Sequence, residues 1–164
     1  MAYFPEVKDR VRYEGPDSKN PLAYRYFQPE RTVLGKPMSE HLKFAVAYWH
    51  TMRGTGSDPL GGGVYKRAWW EGNDPLKIAE NTCDAMFEFV SKLGISHFCF
   101  HDRDVAPEGA TISESRSNLE RLTKRMATRS RETGVKVLWG TANLFSHPRY
   151  THGAATNPDP NVFA

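Results

Sequence analysis

Two helical stretches with clear punctuation alternate with three short apolar runs, and that alternation constrains the fold of this 164-residue chain more than any other feature. The first helix is bracketed by Asp74 at the N-cap position, Pro75 at the first helical position and Gly94 just past its last turn. Leu76, Ala79, Cys83, Met86, Val90 and Leu93 recur between them at three- and four-residue spacing and form one apolar stripe. The second helix opens at Thr111-Ile112-Ser113-Glu114, a Thr-x-x-Glu capping pattern. It turns Leu119, Leu122 and Met126 inward and stops at Gly134. The apolar runs are residues 44–49, 96–101 and 136–139. The first is apolar on both faces, as a parallel strand covered on both sides would be. Strand–helix–strand–helix–strand predicts an α/β fold with a parallel sheet and right-handed crossovers.

The middle run, Ser96-His97-Phe98-Cys99-Phe100, ends in His101-Asp102-Arg103-Asp104. Strand side chains alternate, so an inward His101 takes His97 and Cys99 with it and sends Phe98 and Phe100 against the helices. The same alternation ends the neighbouring strands with Trp49 and Trp139 on the face of His101. Three strands thus deliver Trp, His and Trp to one rim. In a barrel that rim is the carboxyl-terminal face, where catalytic groups sit. A histidine exchanges protons near neutrality, and a nearby carboxylate such as Asp104 can fix its tautomer. A polar strand end facing water is the plain alternative, and the two converging tryptophans favour a site. Asp102 alternates away from His101 and reads as a structural carboxylate paired with Arg103.

Composition narrows the function classes. The net charge of +3 is mild and the charges are interspersed, which gives little support to a nucleic-acid or membrane partner. The second helix carries Arg116, Arg121, Lys124, Arg125, Arg129 and Arg131 but mixes them with Glu114, Glu120 and Glu132, so it reads as a solvated outer face. Cys83 and Cys99 cannot build a disulfide framework or a four-ligand zinc site alone and read as reduced core thiols. The first residues show no secretory signal, no apolar stretch nears the roughly 20 residues of a membrane span, and a cytoplasmic location is expected. The Gly-rich loop 50–73 lacks both Gly-x-Gly-x-x-Gly and a Gly-Lys-Ser/Thr cradle and reads as a flexible loop or subunit contact. His50, His97, His147 and His152 show no metal-ligand spacing. A His-Asp dipeptide also occurs in metal-dependent phosphohydrolases, but there it lies on helices, whereas this pair follows a strand.

Residues 1–43, broken by Pro16, Pro21, Pro29 and Pro37, read as an extended amino-terminal arm that needs a surface to lie on. Residues 44–164 read as the first strands and helices of a barrel. At the far end, Asp159 and Pro160 look like a helix start cut after one turn. Three parallel strands leave an unpaired edge that isolated proteins avoid, and a full barrel takes roughly 250 residues. The expectation is therefore the amino-terminal portion, about three β/α units, of a (β/α)8 barrel.

Several segments in order then resemble the longer, bacterial-type xylose isomerases. They are Asp9-Arg10-Val11-Arg12-Tyr13-Glu14-Gly15, Asn20-Pro21-Leu22-Ala23, the run from Phe44 to Thr51, the run from Phe98 to Asp104, Leu138-Trp139-Gly140-Thr141-Ala142-Asn143 and Asn157-Pro158-Asp159-Pro160. The resemblance covers essentially the whole chain. It implies a (β/α)8 barrel, a homotetramer and interconversion of D-xylose with D-xylulose, served by two divalent cations, usually magnesium, manganese or cobalt. It gives His101 the sugar's ring oxygen and ring opening, and makes Asp104 the residue that holds His101 in the productive tautomer. Trp49, Trp139 and Phe145 match residues that wall the sugar pocket. The family's metal ligands and catalytic lysine lie on later strands, so none is expected among residues 1–164, and this segment alone is expected to be inactive. Leu60 stands where the family commonly has a phenylalanine reaching a neighbouring subunit, and Ala68 where it usually has proline. The alternatives are a non-catalytic truncated chain that retains oligomer contacts, and an isomerase of another aldose.

Overall fold

The computed structural model describes residues 2–163. Met1 and Ala164, the outer ends of the segments read for a leader and for a cut helix, lie outside the described residues. The chain runs through β1 (Thr32–Val33), β2 (Lys36–Pro37), α1 (Met38–His41), β3 (Ala45–Ala47), α2 (Tyr48–Thr51) and a 3-10 turn at Ala68–Trp70. It continues through α3 (Pro75–Leu93), β4 (His97–His101), α4 (Asp102–Val105), α5 (Ile112–Thr133), β5 (Lys136–Thr141), a 3-10 turn at Pro148–Tyr150 and α6 (Pro160–Phe163). The strands β3, β4 and β5 form one parallel sheet in that order, as the alternation of elements predicts. Three strands do not close into a barrel, and β5 is an edge exposed along its length.

The two long helices begin and end where their cap residues dictate. Asp74 Oδ1 accepts the Leu76 N–H at 2.9 Å, and Gly94 closes α3 with a left-handed φ of 68°. Thr111 Oγ1 accepts the Glu114 N–H at 3.1 Å, while the Glu114 carboxylate reaches back to the Ala110 N–H at 2.8 Å. Ala79, Cys83, Met86 and Val90 of α3 are buried as the stripe requires, together with Leu122 and Met126 of α5. Phe98 is fully buried against Phe87 of α3 at 5.4 Å between ring centroids, and Phe100 stacks beside it. A Cβ on Gly140 would lie 2.8 Å from the tip of the Phe100 ring, so a larger residue there would have to push that ring aside.

Two strand boundaries differ from the reading of the sequence. The first strand ends at Ala47 instead of running to Trp49, and Tyr48–Thr51 wind a helical turn closed by Met52 N–H to Tyr48 O at 2.8 Å. Burial decides it, because the turn drives Tyr48 fully into the core. The last strand runs past Trp139 to Thr141, with an irregularity that pairs Phe98 with Val137 but Cys99 with Trp139. Leu138 is the extra residue, and it resets the alternation so that Trp139 stands beside Cys99.

The arm carries the β1–β2 hairpin and α1, and its earlier part lies on α3. Glu88 accepts the N–H groups of Tyr3 and Phe4 at 2.8 and 3.1 Å. Val11 N–H and the Tyr24 hydroxyl cover the last carbonyls of α3, those of Lys92 and Leu93, at 2.7 Å each. The basic face of α5 is not simply solvated: Arg121 pairs with Glu80, and Arg125 and Arg129 pair with Asp84, across to α3.

Candidate active site

β4 ends at His101 and the chain turns at once into α4, which places the imidazole at the carboxyl end of the central strand. Asp104, one turn on, folds back onto it. Its Oδ2 accepts the His101 backbone N–H at 2.8 Å and faces ring Nδ1 at 2.9 Å. A carboxylate only accepts, so Nδ1 carries the hydrogen. In the neutral ring Nε2 then keeps its lone pair, and it makes no hydrogen bond among the described residues.

Three aromatic rings surround the imidazole. Trp49 lies at 4.6 Å between centroids, Phe145 at 5.3 Å and Trp139 at 5.9 Å, and the two tryptophans are 5.5 Å apart. All five expected site residues therefore meet at one rim. Trp49 arrives by the α2 turn rather than by strand alternation, and Trp139 by the irregularity in β5. The rim stays open on one side, because Trp139 is 42% and Phe145 74% exposed. It can shield one face of a small ligand and exchange a proton with it.

Neighbouring groups divide into structural and idle. Burial pushes the Cys83 thiol up to about 12, with Asp84 adding to it, and burial also raises Cys99, whose Sγ faces Val46 O at 3.8 Å. Neither thiol supplies a thiolate at neutral pH. His147 serves its own loop: Nδ1 accepts the Arg149 N–H at 3.0 Å and Nε2 faces Glu108 at 3.2 Å. Asp102 corrects the reading that paired it with Arg103. Its Oδ1 accepts the Arg103 backbone N–H, but the Arg103 guanidinium goes to Glu108 at 3.2 Å. The other bond of Asp102 Oδ1 is to the Asn143 N–H, 41 residues away, at 2.8 Å. Sequence reasoning missed that partner, because a backbone amide leaves no residue-type signal.

Among the described residues no group of three or more His, Cys, Asp or Glu is placed to hold a metal ion. A cavity of about 780 Å³ lies elsewhere, between the arm, α3 and α5; of the charged groups that line it, Asp84, Glu88, Lys92 and Arg129 pair with one another or with Arg125 and the arm. No helix among the described residues is long and apolar enough to cross a membrane.

No protein-family model matches the chain. Individual relatives do. A protein of Pseudomonas syringae pv. syringae (strain B728a) named xylose isomerase is 53% identical over 164 residues, all of this chain and 37% of the relative. By sequence, this chain is similar to xylose isomerases. The xylose isomerase of Rhizobium johnstonii (strain DSM 114642 / LMG 32736 / 3841) is 54% identical over 163 residues, 99% of this chain and 37% of its own length. That of Salmonella paratyphi B (strain ATCC BAA-1250 / SPB7) is 50% identical over 164 residues, again all of this chain and 37% of the relative. The chain thus spans little more than a third of the length of the xylose isomerases it matches.

Proposed function

We propose that the protein to which this segment belongs interconverts D-xylose and D-xylulose, and that this segment supplies the ring-opening half of its site within a (β/α)8 barrel. One observation carries the reading: an imidazole with Nδ1 engaged by a carboxylate and Nε2 unengaged, set among three aromatic rings. Opening a cyclic aldose moves one proton. The anomeric hydroxyl loses it, the C1–O5 bond breaks, and O5 takes it up. The Nε2 lone pair of His101 can accept that proton and return it to the ring oxygen. Asp104 keeps Nδ1 protonated throughout and stabilises the imidazolium formed in between. Trp49, Trp139 and Phe145 cover the apolar face of the sugar and keep water from the reacting carbons.

Members of this family use two divalent cations, magnesium, manganese or cobalt. The residues of this segment do not fit such a group, since no cluster of ligating side chains occurs among those described. The hydride shift from C2 to C1 is therefore chemistry for residues beyond the segment. A homotetramer accompanies the reading. Leu60, 97% exposed at the tip of the Asp58–Gly61 turn, is the contact for a neighbouring subunit, with less aromatic area than a phenylalanine would offer. The unpaired Cys83 and Cys99 support a reducing, cytoplasmic setting.

The test is xylulose formation from xylose by the full-length protein with magnesium, manganese or cobalt, beside residues 1–164 alone. Conversion by the former and none by the latter is expected. Conversion of another aldose in place of xylose would change the substrate, no conversion would favour a non-catalytic assembly chain, and activity in residues 1–164 alone would overturn the division of labour.

A further inference from the structure

The ring of Phe145 is 74% exposed, so apolar burial does little to hold it over His101. Hydrogen bonds of its own turn hold it instead. Asn143 Oδ1 accepts the N–H groups of Phe145 and Ser146 at 3.3 and 3.1 Å and the Ser146 hydroxyl at 2.8 Å. Asn143 is in turn anchored by its backbone N–H, which donates to Asp102 Oδ1 at 2.8 Å. The same oxygen accepts the Arg103 N–H at 2.8 Å, which fixes the carboxylate to the first turn of α4. A bond to an ionised acceptor is among the stronger ties a loop can make. The second tie between these loops, Glu108 bridging Arg103 and His147, runs through a 45% exposed carboxylate and is the weaker one.

We propose that Asp102 is a positioning residue for Phe145, acting through Asn143: Asp104 sets the imidazole, and Asp102 sets the aromatic wall that faces it. The two acids of the His101-Asp102-Arg103-Asp104 turn thus orient opposite sides of one site. The kinetic consequence rests on the aldose reading above; the geometric one does not.

The experiment is a double-mutant cycle in the full-length protein, with Asp102→Ala, Phe145→Ala and the pair, read by steady-state kinetics on xylose and by crystal structures of the variants. Asp102→Ala is expected to raise KM about five- to tenfold with kcat falling less than about twofold, since a wall contributes binding in ground and transition states alike. The pair should match Phe145→Ala, because the acid has no further effect once the ring is gone. Asp102→Asn, whose amide oxygen still accepts both N–H groups, should recover most of the loss. In the crystal, Asp102→Ala should displace the Phe145 ring from His101, and Asn143→Ala should do the same with Asp102 intact. Additive effects in the cycle, or a Phe145 ring still at 5.3 Å from His101 in both Asp102→Ala and Asn143→Ala, would overturn the proposal. A wild-type protein inert on every aldose would sink the functional reading instead, and the crystal structures would still decide the positioning role.

Discussion

Asp84 on α3 and Asp104 on α4 are both partly buried carboxylates held by nitrogen donors, and they differ in what their partners have left over. Asp84 Oδ1 accepts from Arg125 Nε at 3.0 Å and Arg129 Nε at 2.8 Å, and its Oδ2 from Arg125 Nη2 at 2.5 Å. Burial raises this carboxyl, yet the two guanidiniums outweigh it and hold the group below its ordinary value of 3.8. An arginine does not give up its proton in a protein, so this clasp can only join α3 to α5. Asp104 holds an imidazole by one nitrogen and leaves the other with a usable lone pair. Surroundings follow the same division, since the Asp84 clasp spans two packed helices while Asp104 stands at a strand end beside three rings and an open face. The same pairing chemistry leaves no usable lone pair on the partner in one place and one unengaged nitrogen in the other.

The sharpest way to break this comparison is to exchange the readouts. His101→Asn in the full-length protein should lower kcat on xylose by about 10²–10⁴, the share of a positioned acid–base group, and leave the denaturation midpoint nearly unmoved. Asp84→Asn should do the reverse. A large stability loss in the first, or a comparable kcat loss in the second, would erase the distinction. Next in size comes Phe98, fully buried beneath both regions, where the helix layer meets the strand that carries His101. Phe98→Ala should cost about 3–5 kcal/mol in urea denaturation. A loss under about 1 kcal/mol would mean that the rim does not depend on the helix layer below it.

How much of this could be read from the residues depended on the range of the forces involved. The caps of α3 and α5 were legible because Asp74, Gly94, Thr111 and Gly134 act on backbone within one turn. Phe145 was suggested only by the family resemblance, whereas the meeting of Trp49, His101, Asp104 and Trp139 was legible from strand ends. The route by which Trp49 and Trp139 arrive was not. Burial of Tyr48 bends the chain two residues early, and the extra residue Leu138 resets a strand, both being tertiary effects that override local alternation. The bond from Asp102 to Asn143 was hidden for a different reason, because its donor is a backbone amide that every residue but proline possesses. The cross-helix pairs of α5 needed the packing of α3 before a charged stripe could be told from a solvated one.

The smallest effect concerns the Asp84 clasp alone and depends on pH. Asp84 is only partly buried, so removing its charge should cost roughly 1 kcal/mol near neutrality rather than the 3–5 of a fully buried pair. Its folded-state value lies below 3.8, so the unfolded chain binds more protons than the native one as pH falls past that point. The stabilisation is therefore full above 3.8 and is lost as pH drops through the depressed value. Glu88 acts in the same sense from its ordinary 4.5: burial raises it, but Lys92 and the Tyr3 and Phe4 N–H groups hold it lower. A thermal-midpoint profile should then separate the two acids. Asp84→Asn should keep the part of the acid limb that belongs to Glu88, lose the part below 3.8, and converge on the wild type at the lowest pH. Parallel profiles would mean that the guanidiniums do not hold Asp84 ionised, and its contrast with Asp104 would then rest on geometry alone.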